Sequence, residues 1–206
     1  MTETRGERKG RTRRAILDAA LQLTRDSSLV GLSLRQVAKE VGIVPTAFYR
    51  HFDSIEALGL ALVDESFVSL RAMLRDVRRG EPTGFGAVID HSVDVLVEHV
   101  RRNRDHFSFI ARERVAGPAT VRDAVRHEID LCERELATDL ARMPGTEPWS
   151  SEDLRILSAL VVATMVAAAE ELLACSRPEQ ERAVIATVRT QLRMMLVGVS
   201  RWESRA

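Results

Sequence analysis

The chain has 206 residues, enough for one large domain or a small domain joined to a larger one, and its 30 basic and 30 acidic side chains cancel, so net charge excludes no partner. Aromatics are only 4% of residues while Ala, Leu, Val, Arg and Glu dominate, which suits packed amphipathic helices and argues against sheets built from β-branched and aromatic residues. The polar, charged start lacks the apolar core of a signal peptide, so a cytoplasmic location is expected.

In chain order, Ile16, Ala20 and Leu23 give helical spacing from Thr12 to Arg25. Ser33 and Gln36 form a capping box that opens a short helix, whose inner face is Leu34, Val37, Ala38 and Val41. Gly42 ends it, and Pro45 opens a third helix expected to reach about Phe52. Ser54 is the expected cap of a long fourth helix ending near Arg79. The loop Glu81–Gly84 and a helix from about Gly86 to Arg102 follow. A short apolar piece, Phe107 to Arg112, precedes a helix stepping through Val121, Val125, Ile129, Cys132, Leu136 and Leu140. Pro144 to Pro148 breaks the chain, and two long helices close it, Ser151–Cys175 and Glu179–Trp202. The expectation is an all-α chain of about nine helices, with no internal repeat.

The most apolar stretch, Leu154 to Ala169, contains Arg155 and Ser158 and runs into Glu170 and Glu171. It falls short of the roughly 20 residues a membrane span needs, so a buried helix and no membrane are expected. Cys132 and Cys175 form neither a metal spacing nor a disulfide framework, and His91, His99, His106 and His127 form no H-x3-H pair, so no metal or cofactor is expected. A Walker loop, a G-x-S-x-G elbow and a dinucleotide fingerprint are also lacking, which argues against an enzyme.

The charges are unevenly spread. Residues 1–52 hold ten Lys/Arg against five Asp/Glu, leaving twenty against twenty-five for the rest. A basic head on an acidic body fits a chain whose one end meets a polyanion, although a solvated basic tail would look the same. Ser33–Phe52, SLRQVAKEVGIVPTAFYRHF, is a capped helix, a glycine turn and a second short helix, the pattern that can lay its second member in a major groove about 12 Å wide. Phe48 and Phe52, four apart, face inward. Thr46, Ala47, Tyr49, Arg50 and His51 are left largely outside, where they suit phosphates, thymine methyls and base edges. By periodicity alone an ordinary helical hairpin fits equally well.

These residues resemble the TetR family, whose signature runs T/S-x-R-x-[VI]-A-x-x-x-G-[VI] into an aromatic-rich helix ending Y-x-H/Y-F; the likeness covers roughly residues 10–60. GIVPTAFYRHF, ALGLALVDES at Ala57–Ser66 and RER at Arg112–Arg114 are further similar to the FabR/DesT subgroup. That resemblance implies a dimeric repressor of double-stranded operator DNA. Residues 1–54 would form the DNA-binding domain and 55–206 the ligand-binding and dimerisation domain. It implies phosphate contacts for Ser33, Tyr49 and His51, a base edge for Arg35 and groove positions for Thr46 and Ala47, with Pro45 and Arg50 also among the expected DNA-binding residues. Arg11, Arg13 and Arg14, read as a flexible arm before the first helix, could add phosphate or minor-groove contacts. Ile55 departs from the pattern, since many members carry a phosphate-binding Lys there.

The same resemblance implies a homodimer through the last two helices and an effector such as fatty acyl-CoA in regulation of fatty acid metabolism. Candidate walls of an apolar tunnel are Phe107, Phe109, Ile110, Leu131, Val161, Val162 and Met165, with Arg112 at its mouth; an ordinary hydrophobic core would use the same residues. A regulator of another small apolar ligand and a nonspecific architectural DNA binder are the alternatives.

Overall fold

A computed structural model describes residues 4–79, 84–143, 145–146, 148–199 and 202–203, and the regular structure among these residues is entirely helical. The elements are α1 (Arg5–Leu23), a 3-10 turn (Leu29–Gly31), α2 (Leu34–Val41), α3 (Pro45–Phe48), α4 (Ile55–Arg79), α5 (Phe85–Arg102), α6 (Arg104–Ala116), α7 (Ala119–Leu140), α8 (Ser151–Ala174) and α9 (Pro178–Val199). The chain is all-α, as composition suggests. Most of the expected loop Glu81–Gly84 lies outside the described residues, as do Pro144 and Glu147 in the break before α8.

The chain divides into two compact units. The first runs to Val68 and includes Asp105–Arg126; the second holds Ser69–Arg104 and the chain from His127 onward. In the first unit α1 packs on α2, and α2 on α3. Its core includes Ile16, Ala20, Leu29, Val37, Phe48, Phe52, Leu58, Leu62, Phe67, Phe107, Phe109, Val121 and Val125, all buried. Leu29 and Val121 reach α4 so closely at Gly59 that a Cβ there would lie 2.6 Å from Leu29 Cδ1 and 3.0 Å from Val121 Cγ2. A side chain there would force the buried Leu29 and Val121 side chains to move.

Two helices are longer than periodicity suggests. α1 begins at Arg5, because Thr4 and Glu7 form a capping box: the Thr4 amide donates to Glu7 Oε2 at 2.7 Å and the Glu7 amide to Thr4 Oγ1 at 3.3 Å. The arm reading is therefore corrected, since Arg11, Arg13 and Arg14 stand on α1 itself. α6 extends the expected apolar piece in both directions because its charged ends are tied down. Asp105 takes a bidentate pair from Arg25 at 2.8 and 2.6 Å, and Glu113 caps the turn near Leu29.

In the second unit α5 packs on both α8 and α9, which also pack on each other. Val93, Leu96, Val97 and Val100 of α5 are buried, with Leu154, Ala168, Ala169 and Leu172 of α8 and Val188 and Leu192 of α9. Arg189 pairs with Asp94 at 2.5 Å and Arg193 with Asp90 at 2.8 Å, tying α9 to α5. Arg78 of α4 similarly reaches Asp139 at 2.7 Å and Glu135 at 3.0 Å on α7.

α8 is not the buried helix its composition suggests. By length and composition it could cross a membrane, yet only 17% of its most apolar stretch is buried within this chain. Ile156, Leu160, Ala163 and Ala167 form an exposed face at helical spacing. A helix apolar all round is expected to be covered, but its periodicity does not say by what. Trp202 lies past the end of α9 rather than on it and is 55% exposed.

Candidate nucleic-acid interface

The positions argued to meet DNA are held by local chemistry. Ser33 accepts from the Gln36 amide at 3.3 Å, while Gln36 Oε1 accepts from the Ser33 amide at 2.8 Å and its hydroxyl at 2.7 Å, so both orphan donors at the start of α2 are satisfied. Gly42 closes α2 at φ +71°, a left-handed conformation that costs a side-chain-bearing residue more than glycine. Pro45 then opens α3, where a missing amide costs no hydrogen bond. The regular helix stops at Phe48, short of the expected Phe52, and tightens into a turn as the Arg50 amide donates to Ala47 O and the His51 amide to Phe48 O.

This turn is bolted to the core by its aromatics. Phe48 is fully buried and Phe52 nearly so, their rings 5.8 Å apart. The guanidinium of Arg13 lies 4.1 Å above the Phe52 ring and donates to His51 O at 3.0 Å. Arg14 instead meets Asp18 at 2.8 Å and Glu65 at 2.6 Å, so its charge is largely answered within the protein.

Of the remaining positions, Arg35, Pro45, Thr46, Tyr49 and Arg50 are exposed, as is Ser33, and Tyr49 is 58% accessible. Ala47 and His51 are half-buried. Burial first, then the nearby charges of Lys9, Arg13 and Arg50, push the His51 imidazole below its usual range, and its Nδ1 is buried with no hydrogen-bond partner among the described residues. The face combines exposed cations, hydroxyls and an apolar contact, a set that can grip phosphates and touch base edges.

Two features escaped the sequence reading. Val44, at the entry to α3, is 64% exposed, an apolar side chain beside the positions expected to meet DNA and of a kind that suits a thymine methyl. Its signal was an apolar residue directly before a helix-opening proline. Glu113 has no exposed surface; it accepts from the Leu29 amide at 3.0 Å and the Ser28 hydroxyl at 3.1 Å, joining α6 to the segment between α1 and α2.

The candidate ligand walls do not all fall in one unit. Phe107 and Phe109 are buried and Ile110 and Arg112 half-buried in the first, while Leu131, Val161, Val162 and Met165 are half-buried in the second. Arg112 donates to the carbonyl of Thr24 and, at 3.3 Å, to that of Ser27. His99 Nε2 lies 3.0 Å from Asp76 Oδ2 and His106 Nδ1 3.0 Å from Ser66 Oγ.

Two family models match the chain: residues 16–62 match the bacterial regulatory proteins of the tetR family, and residues 85–196 match the tetracyclin repressor-like C-terminal domain. The chain belongs to the TetR family. TetR-family proteins are DNA-binding transcriptional regulators with a helix-turn-helix, not enzymes, and they work as dimers with small-molecule ligands. Solved structures share the TetR fold over nearly the whole chain. The fatty acid degradation regulator FadR from Bacillus halodurans matches at TM-score 0.70 and 13% identity over 100% of both chains. Salmonella enterica GusR matches at 0.68 and 23% over 97% of this chain and 98% of its own. A TetR transcriptional regulator from Legionella pneumophila matches at 0.64 and 16% over 94% and 98%.

Proposed function

We propose that this TetR-family regulator is a cytoplasmic repressor whose α2 and α3 read operator DNA. Arg35 meets a base edge, Pro45, Thr46, Ala47 and Arg50 line the groove, and Ser33, Tyr49 and His51 meet phosphates. The observation that carries the reading is the exposure of Arg35, Thr46, Tyr49 and Arg50 on one capped, aromatic-anchored element. Arg11 is an exposed cation of α1 offered to phosphates, Arg13 supports the reading surface through Phe52 and His51, and Arg14, paired with carboxylates, contributes least.

A single helix-turn-helix reads few base pairs, so a two-fold dimer is required for useful specificity. The exposed face of α8, with Ile156 49% and Leu160 50% accessible, supports an interface there. The outer face of α9, with Met194 69% and Val197 63% accessible, supports the same assignment. In this reading residues 1–54 are the DNA-binding domain and 55–206 the ligand-binding and dimerisation domain.

The effector is a fatty acyl-CoA or similar lipid, and the regulon fatty acid metabolism. This rests on the likeness of GIVPTAFYRHF, Ala57–Ser66 and Arg112–Arg114 to the FabR/DesT subgroup, since the FadR match at 13% identity carries the fold alone. Promoter DNA from the protein's own gene and its neighbours, titrated with and without saturated and unsaturated acyl-CoA at fixed salt, tests each layer. Sequence-specific binding altered by acyl-CoA is expected. Specific binding indifferent to every acyl-CoA would remove the lipid effector and favour another small apolar ligand. Binding without sequence preference would replace the repressor by a nonspecific architectural protein.

A further inference from the structure

A pocket of about 250 Å³ opens in the second unit where α5, the start of α6 and the α8–α9 turn come together. None of the residues implied as ligand walls lines it. Its apolar side is made by Val97, Val100 and Leu172, each under a tenth exposed. Arg101, Arg104 and Arg177 stand around its polar side, with Glu181 the one carboxylate among the lining residues.

The three guanidinium groups are differently engaged. Arg101 pairs with Glu181, and Arg104 donates to the Leu173 carbonyl at the end of α8. The Arg177 side chain makes no hydrogen bond or ion pair among the described residues. The amides of Ser176 and Arg177 already donate to Gln180 Oε1, at 3.0 and 3.2 Å, so recognition here falls to the side chains rather than to the helix end. Three cations against one carboxylate leave an excess of positive charge beside the apolar wall. Arginine matches a carboxylate or phosphate with two parallel donors.

We propose that this pocket binds a small amphipathic organic anion. Its acidic group meets Arg177 and Arg104, and its short apolar tail lies against Val97, Val100 and Leu172. The volume is just under the roughly 300 Å³ at which pockets for drug-sized ligands begin, so the occupant is smaller than such a ligand. A bulky acyl-CoA does not fit inside it. The site is thus separate from any acyl tunnel, and its fate does not depend on the effector proposed above.

Calorimetric titration of the full-length protein at low salt with hexanoate, hexylamine and inorganic phosphate tests the assignment. Hexanoate should bind at least about tenfold more tightly than either comparator, and Arg177→Glu, a change on an exposed turn, should weaken it about tenfold or more. Hexylamine binding equally well would overturn the anion, and phosphate binding equally well would overturn the apolar tail. Absence of hexanoate binding, or binding unchanged in Arg177→Glu, would overturn the site. Cys175 lines the same pocket, whereas burial pushes the Cys132 thiol up to about 11 and keeps it protonated and unreactive near neutral pH. Hexanoate should slow iodoacetamide alkylation of Cys175 in the parent and not in Arg177→Glu; equal rates in the parent with and without hexanoate would overturn the location.

Discussion

Arg13 lies 4.1 Å above the ring of Phe52 and hydrogen-bonds the carbonyl of His51, so a residue that sequence assigns to DNA spends its side chain holding the recognition element in place. Arg13→Ala should lower stability by about 0.5–1 kcal/mol, the usual size of an exposed cation–π contact. It should also weaken operator binding similarly on matched and mutated sites. Thermal unfolding beside gel-shift titration checks both. Loss of affinity with no loss of stability would make Arg13 a DNA contact instead.

Arg35 and Tyr49 are expected to fail in different ways. Arg35→Ala should relax discrimination at one base pair by about 1–3 kcal/mol, whereas Tyr49→Phe should weaken all sequences alike and leave the preference unchanged. Titrating both variants against an operator and its single-base mutants separates the two. Unchanged binding by both would remove α2 and α3 from the interface.

A phosphate contact at His51, as proposed, would tie DNA affinity to pH. Burial and neighbouring cations hold its imidazole below the usual range, so the free protein carries it neutral near pH 7. A phosphate beside it would favour the charged form. Operator affinity should therefore rise as pH falls from about 7 to about 6, with proton uptake on binding, and His51→Gln should flatten that slope. The folding term has the opposite sign: a lowered folded pKa gives stability present above the unfolded value of 6.5 and lost as pH falls through the folded one. Buffers of different ionisation heat, used in calorimetry, count the proton directly.

Glu113 makes a second pH prediction. Burial pushes its carboxyl up, and the hydrogen bonds from Leu29 and Ser28 and the charge of Arg112 only partly reverse this. A raised folded pKa gives stability that is complete below the usual 4.5 and lost as pH rises through the folded value. Glu113→Gln cannot ionise, so its melting temperature relative to the parent should climb as pH is raised from about 4 towards 7. Glu113→Ala should instead cost about 1–3 kcal/mol, because the Leu29 amide is left buried without an acceptor. A pH-independent difference between parent and Gln variant would contradict the assignment.

Leu160→Glu and Met194→Arg place charges on the exposed faces of α8 and α9. Sedimentation should show each variant shifted from dimer to monomer with helical content retained, and specific operator binding should fall with dimerisation. Two variants that remain dimeric would move the interface elsewhere.

The helix-turn-helix was legible because its signals are local: Ser33 with Gln36, Gly42, Pro45 and the Phe48–Phe52 spacing each act within four residues. α1 outruns its apolar pattern because its first turns carry Arg and Lys rather than apolar residues, although the Thr4–Glu7 capping box marks the start. α6 exceeds its apolar pattern for a related reason. The charges at its ends are satisfied by Arg25 and Leu29, some 80 residues away in sequence, and no periodicity encodes such pairings. Arg13 over Phe52 is likewise a contact between distant segments. For α8, apolar composition suggests cover, but its pattern does not say what supplies it.

The half-exposed α8 also bears on gene dosage. A helix of which only 17% of the most apolar stretch is covered by its own chain leaves each lone copy with a large part of its cohesion unrealised, so thermal stability should rise with protein concentration. Where two reading heads must be paired to hold an operator, occupancy should climb more steeply than in proportion to the number of chains made, which gives a sharper threshold in expression than a monomeric reader has.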